Sequence, residues 1–258
     1  MLTFISDLDN TLVYSKQNQG ICVERKDVKE ISYMTEKAYK DFQKLRSEPE
    51  FCFIPCTARS LEQTMRITFL KEQQPVYMIC DNGASIYIKG KLDEEWNAHL
   101  KERGIIHPKL LRQELSYIKK LFDEENICYR NIKNNQDAFF VISFDTESGA
   151  SKVFNILKEK LSEKEFRLIQ QHRKIYYCPI QLNKMLAVQY LFKKYDLGYV
   201  ITSGDSMFDK CFTALGNSIF LPAHATFSHL KAIRTMECGM LAGEEIITFL
   251  EELAEKNT

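Results

Sequence analysis

Four short apolar runs punctuate the chain, and each stops at a polar cluster: LTFIS before Asp7, FCFIPC before Thr57, VYMIC before Asp81 and GYVITSG before Asp205. Continuous apolar runs of this length predict strands buried on both faces, as in a parallel sheet covered by helices. Between the first two runs, Ala38, Phe42 and Leu45 fall at helical spacing. After the second, Ser60 followed by Gln63 forms a capping box that starts another helix. Alternating strand and helix predicts an α/β fold with a doubly wound, Rossmann-like parallel sheet, whose ligand crevice lies beyond the carboxyl ends of the strands. All four polar clusters would then meet at one edge.

The rhythm changes in the middle of the chain. Leu111, Leu115, Ile118 and Phe122 mark a helix, and strand-like stretches follow at Cys128 to Ile132 and Ala138 to Phe144, separated by the polar turn KNNQD. Val153, Phe154, Leu157 and Leu161 mark a second helix, followed by FRLIQ and KIYYCP around the turn QHR. Helix, strand, strand, twice over, predicts an antiparallel sheet with two helices on one face. The expected division is a core of residues 1–85 and 181–258, with an inserted α+β unit over 86–180. In residues 15–34, ICVER and EISYM around KDVK predict a small hairpin beside the first crevice loop.

Composition narrows the classes of function. With 258 residues, 45% apolar and 27% charged, the chain can bury a large core and a satellite domain. Basic and acidic residues balance at 35 each, so no net positive charge points to a nucleic-acid partner. MLTFI stops at Asp7 without a basic flank, and no apolar run approaches membrane-spanning length, which predicts a cytoplasmic protein without a membrane partner. The eight cysteines include no CxxC pair and are expected to be reduced thiols. Cys52 and Cys56, four apart, have no second ligand pair at zinc-site spacing, and the five histidines are scattered. Oligomeric state has no signature in the sequence.

DLDNT at Asp7 to Thr11, Thr57 at a strand end, Lys184 after the insert, and GDSMFD from Gly204 to Asp209 resemble, in order, the four motifs of the haloacid dehalogenase-like phosphatases. The resemblance spans nearly the full chain. The insert's place and doubled pattern are similar to the C2-type cap of the Cof-like, sucrose-phosphatase-like and phosphomannomutase-like branches, and DNGA from Asp81 resembles the turn leading into that cap. Ala58, Met185 and Phe208 depart from residues common in the family, but none removes a charge.

The resemblance implies Asp7 as nucleophile and Asp9 as general acid and base, the second aspartate being the mark of the family's phosphatases and mutases. The chemistry asks for such a pair. Hydrolysis of a phosphate monoester benefits from a covalent intermediate on a carboxylate, and the leaving oxygen needs a proton that the attacking water later returns. Positions 7 and 9 share one side of an extended stretch. A magnesium ion, suited to oxygen ligands, is expected on Asp7, the backbone carbonyl of Asp9, Asp205 and Asp209, the last two one turn apart if a helix starts at Ser206. Lys184 is expected to neutralise Asp7 and bound phosphate, with Thr57 as a neutral phosphate donor. Asn82 completes the expected substrate contacts, and Arg59 is assigned either to substrate or cap or to a surface or structural ion pair.

Specificity is assigned to the insert, with Arg130, Lys133, Asn134, His172, Arg173 and Lys174 as polar candidates at its turns. The expected activity is magnesium-dependent hydrolysis of a small phosphorylated metabolite, a sugar phosphate foremost, because polar turns suit a hydroxyl-rich leaving group. A phosphomannomutase-like enzyme using the same aspartates and a noncatalytic phospholigand-binding module are the alternatives.

Overall fold

The computed structural model describes residues 1–15, 20–161 and 164–256. The part of the expected hairpin region that falls on residues 16–19 lies outside the described residues. Two compact units emerge, Met1–Trp96 with Asn183–Thr258, and Asn97–Leu182.

In the first unit, the apolar runs form a parallel sheet of five strands in the order Ile233–Arg234, Ser218–Leu221, Tyr199–Ser203, Leu2–Ser6, Phe51–Pro55. Leu2–Ser6 is buried along its whole length, as expected of a central parallel strand. Its register sets Ser6 beside both Ser203 and Pro55, so three of the polar clusters emerge together at the carboxyl edge. The run Tyr77–Cys80 takes a different partner, opening a separate antiparallel sheet with Ser85–Ile88 and Lys91–Leu92. A parallel bridge from Ile79 to Cys56 joins it to the end of Phe51–Pro55, which brings Asp81 to the same edge. Ser85 to Leu92, most of it assigned by sequence to the insert, thus pairs within the first unit.

Helix Glu36–Ser47 begins at Thr35, whose hydroxyl accepts the Ala38 amide, and buries Ala38, Phe42 and Leu45 as their spacing predicts. These residues pack with Leu2, Phe4 and Phe53 of the sheet, with Phe69 of the short helix Thr68–Glu72, and with Ile246, Ile247 and Leu250 of helix Met240–Lys256. Helix Lys184–Lys194 buries Ala187, Val188 and Leu191. Among the described residues, no helix is long and apolar enough to cross a membrane, and all eight cysteines are free.

The second unit runs helix Pro108–Glu124, strands Asn131–Asn135 and Phe139–Ser143, helix Glu147–Lys160, and strands Phe166–Gln171 and Lys174–Pro179. Its antiparallel sheet has the order Phe166–Gln171, Lys174–Pro179, Phe139–Ser143, Asn131–Asn135. Leu111, Ile118, Phe122, Val153 and Leu157 of the helices pack on Phe140, Ile142, Ile175 and Tyr177, which alternate along their strands and so share a face. The first strand starts at Asn131 instead of Cys128 and absorbs the polar residues Lys133 to Asn135, leaving Gln136 and Asp137 to turn with positive φ. It is an edge strand, so polar side chains cost it little. The register pairs Asn131 with Ser143 and Ser143 with Lys174, which sets Arg130, His172 and Arg173 toward one end of this sheet. Lys133 sits midway along its strand, and Asn134 lies toward the other end, where it bonds Asp137 across its own turn.

Phe42 sets the strength of the first core. Its ring meets Phe53 at 4.9 Å and Phe69 at 5.4 Å, both nearly edge-on. Phe42→Ala is expected to cost about 3–5 kcal/mol, seen as a lower urea midpoint by circular dichroism.

Candidate active site

Beyond the end of the first strand, the chain turns sharply. The amides of Thr11, Leu12 and Val13 all donate to the Leu8 carbonyl, and Asn10 takes a positive φ of 57°, a conformation asparagine tolerates better than most residues. Leu8 is buried in the core and Asp7 is buried as well, while Asp9 has 53% of its side chain exposed.

Lys184 occupies the first position of its helix, whose cap, Asn183, accepts the Leu186 amide. The turn Asp81–Gly83 lies against that helix start. Gly83 has φ +91°, and a Cβ there would sit 2.5 Å from the Asn183 carbonyl oxygen, so no side chain fits. Lys184 is almost fully buried, with Nζ 2.7 Å from Asp7 Oδ1 and 2.6 Å from Asp209 Oδ1. Burial works against its charge, but Asp209 and Asp7 outweigh that effect and keep it protonated.

Asp205 and Asp209 do not share a helix. The helix begins at Lys210, and Asp209 is its cap residue. The Ser206 amide and hydroxyl both donate to Asp209 Oδ2, folding residues 205 to 209 into a tight loop that satisfies these groups before any helical turn can form. One carboxylate oxygen each from Asp7, Asp205 and Asp209 nevertheless lies within 4.8 Å of the others. Burial pushes the Asp7 carboxyl up; Lys184 opposes, and the charges of Asp209, Asp205 and Asp9 push the same way as burial. Asp205 is pushed up to about 7 by burial and then by Asp209, against Lys184. Three carboxylates facing one ammonium leave excess negative charge in a crevice, and an all-oxygen donor set of this kind fits a hard divalent cation. The Asp9 carboxylate stands outside this group.

Thr57 is buried; its amide donates to the Ile79 carbonyl and its Oγ1 accepts the Arg59 amide. Asn82, expected to contact substrate, is buried with φ 55° and donates its amide to the Thr57 carbonyl. Arg59, expected either on substrate or in an ion pair, forks onto Asp9 through Nε and Nη2 at 2.8 and 2.7 Å and reaches Glu24 through Nη1 at 2.8 Å. Glu24 was not legible in the sequence. The strand Ile21–Lys26 changes register between Cys22 and Arg25, so the consecutive Val23 and Glu24 both turn inward and simple alternation fails.

Sheet and charge together define a class: the chain is a haloacid dehalogenase-like phosphatase. Over residues 1–220 it matches the family described as sucrose-6F-phosphate phosphohydrolase, and it belongs to that family. The Synechocystis sp. sucrose-phosphatase, solved in complex with sucrose and phosphate, is similar over 97% of this chain and 98% of its own, at 18% identity and a TM-score of 0.63. The C-terminal domain of C. albicans trehalose-6-phosphate phosphatase aligns over 98% of this chain and 93% of its own, at 13% identity and a TM-score of 0.63. Aspergillus fumigatus trehalose-6-phosphate phosphatase aligns over 97% and 92%, at 12% identity and a TM-score of 0.53. At these identities the likeness is one of fold. No functionally curated protein matches the chain in sequence.

The crowding of carboxylates has a measurable consequence. A carboxyl whose folded value is raised binds more protons in the folded than in the unfolded state, so metal-free stability falls as pH rises from about 4 to about 7. Asp205→Asn removes one of the repelling charges. Its metal-free melting temperature at neutral pH is expected about 2–4 °C above that of the parent, with a flatter fall across this pH range in scanning calorimetry.

Proposed function

We propose that the protein is a magnesium-dependent phosphatase that hydrolyses a small phosphorylated metabolite, a sugar phosphate, through an aspartyl-phosphate on Asp7. The observation that carries this reading is the separation of two charge sets: Asp7, Asp205 and Asp209 around buried Lys184, and Asp9 with its own cation at the mouth. Magnesium would be held by Asp7, Asp205 and Asp209, with the Asp9 backbone carbonyl as a further ligand, and when bound supplies positive charge against the repulsion between carboxylate and phosphoryl group. An Asp7 oxygen attacks phosphorus and the bond to the leaving oxygen breaks, while Asp9 gives that oxygen its proton. Water then attacks the acyl phosphate and gives a proton to Asp9, and the phosphorus–Asp7 bond breaks to release phosphate. Lys184 neutralises the anionic centre, and Thr57 contributes a neutral hydroxyl to phosphate binding.

The sugar-phosphate class is supported by the family description and by the sucrose-bound relative. Selection of the leaving group is assigned to the inserted unit, which contains none of the proposed catalytic residues. A cytoplasmic setting accords with eight free cysteines.

A screen of phosphorylated metabolites, measuring released phosphate beside isomerised sugar phosphate, tests the reading. Release is expected with magnesium and is lost with chelator. Zinc-dependent turnover that survives magnesium chelation, or isomerisation without release, would overturn it.

The two aspartates should fail differently. Asp7→Asn is expected to form no phosphoenzyme in rapid-quench labelling. Asp9→Asn is expected to lose roughly 100-fold to 10,000-fold on esters with basic leaving groups, yet still to label Asp7 from an activated aryl phosphate. Peptide mapping that finds the label elsewhere would refute the assignment.

A further inference from the structure

Asp9 presents a physical difficulty. A half-exposed carboxylate samples several rotamers, and an ion pair to an exposed arginine would hold it only weakly. Proton transfer, by contrast, is sensitive to displacements of about 1 Å. The partner here is not an exposed arginine. Arg59 has 11% of its side chain exposed, and its guanidinium is gripped from both sides: Nε and Nη2 fork onto the two Asp9 oxygens, and Nη1 bonds Glu24 Oε2.

Glu24 is the fixed end of this chain. Its side chain is fully buried. Ser32 Oγ donates to Oε2 at 2.6 Å from the facing strand of the hairpin, and Arg66 Nε donates to Oε1 at 3.1 Å. The bulge that turns Glu24 inward exists in the same strand. The main chain of Arg59 is anchored as well, its amide on Thr57 Oγ1 and its carbonyl accepting the Asp81 amide. A buried ionic network is a poor way to gain stability, because desolvation offsets much of the attraction. A bidentate fork with one arm immobilised is a good way to fix a carboxylate in direction.

We propose that Glu24 is a positioning residue for proton transfer: by clamping Arg59 it holds the Asp9 carboxylate in place for the leaving group and, later, for water. The inference rests on the acid/base reading of Asp9 given above. Neither Glu24 nor Arg59 needs to touch substrate for it to hold.

A merely structural staple and a positioning residue differ in one readout, the dependence of rate on leaving-group basicity. The probes are dinitrophenyl phosphate, whose leaving group needs little protonation, and phenyl phosphate, whose leaving group needs more. In rapid-mixing measurements of the first phenol released, Glu24→Gln is expected to slow the phenyl ester about 10-fold to 100-fold. The dinitrophenyl ester should stay within about threefold of the parent, and KM for both should change by less than about threefold. Combined with Asp9→Asn, Glu24→Gln should add no further loss on the phenyl ester, since both act on one step.

Equal slowing of the two esters, or losses that add fully to those of Asp9→Asn, would overturn the inference. If Glu24→Gln fails to fold by thermal melting, Arg59→Lys carries the same test, because it keeps the charge but lacks the fork. If Asp9→Asn itself shows no leaving-group dependence, the reading of Asp9 has failed. If Asp9→Asn shows it and neither Glu24→Gln nor Arg59→Lys does, the positioning role alone has failed.

Discussion

The buried ammonium of Lys184, bonded to Asp7 on one side and Asp209 on the other, is the constraint to which the rest of the first unit answers. A charge this far from water is tolerated only where partners hold it. Here the partners arrive from separated parts of the chain, a strand end near residue 7 and a loop near residue 209, while the ammonium comes from a helix start at residue 184. Each element must therefore stop at the right level. Parallel pairing does this for the strands, since Ser6 and Ser203 are in register. Asn183 does it for the helix by capping its first turn.

Small residues let the pieces approach. Gly83 passes its backbone against that of Asn183, and a Cβ on Gly204 would lie 2.4 Å from the Asp209 Cβ. Their lack of a side chain is thus part of the electrostatics: it decides how closely three carboxylates gather and how much cation they demand. The same crowding is unfavourable for the protein alone and favourable for a hard cation.

Two cations divide the labour. Lys184 is sealed among the carboxylates, whereas Arg59 spans from a buried glutamate to the exposed Asp9. The hairpin that carries Glu24 and Ser32 thus reaches the Asp9 carboxylate through Arg59. The second unit has its own core, built from its own helices and sheet, and folds around a hydrophobic pattern independent of these charges.

The apolar runs ending at Asp7, Thr57 and Asp205, the helix faces at Phe42 and Ile118, and the capping box at Ser60 were legible in the sequence, because burial and local hydrogen bonding write a period or a spacing into a linear chain. So were the charged residues of the crevice, through the order of their motifs. What sequence could not show is where competing local bonds win. Ser206 captures Asp209 and delays the helix to Lys210, Tyr77–Cys80 turns back into an antiparallel sheet, and an edge position lets polar Lys133 to Asn135 extend a strand. Glu24 lay furthest out of reach. Its inward turn depends on a bulge, and its partners Ser32, Arg59 and Arg66 sit 8, 35 and 42 positions away. Periodicity records which residues are buried together along one element; only tertiary structure decides which buried charges meet, because that pairing is set by contacts between elements that no local pattern encodes.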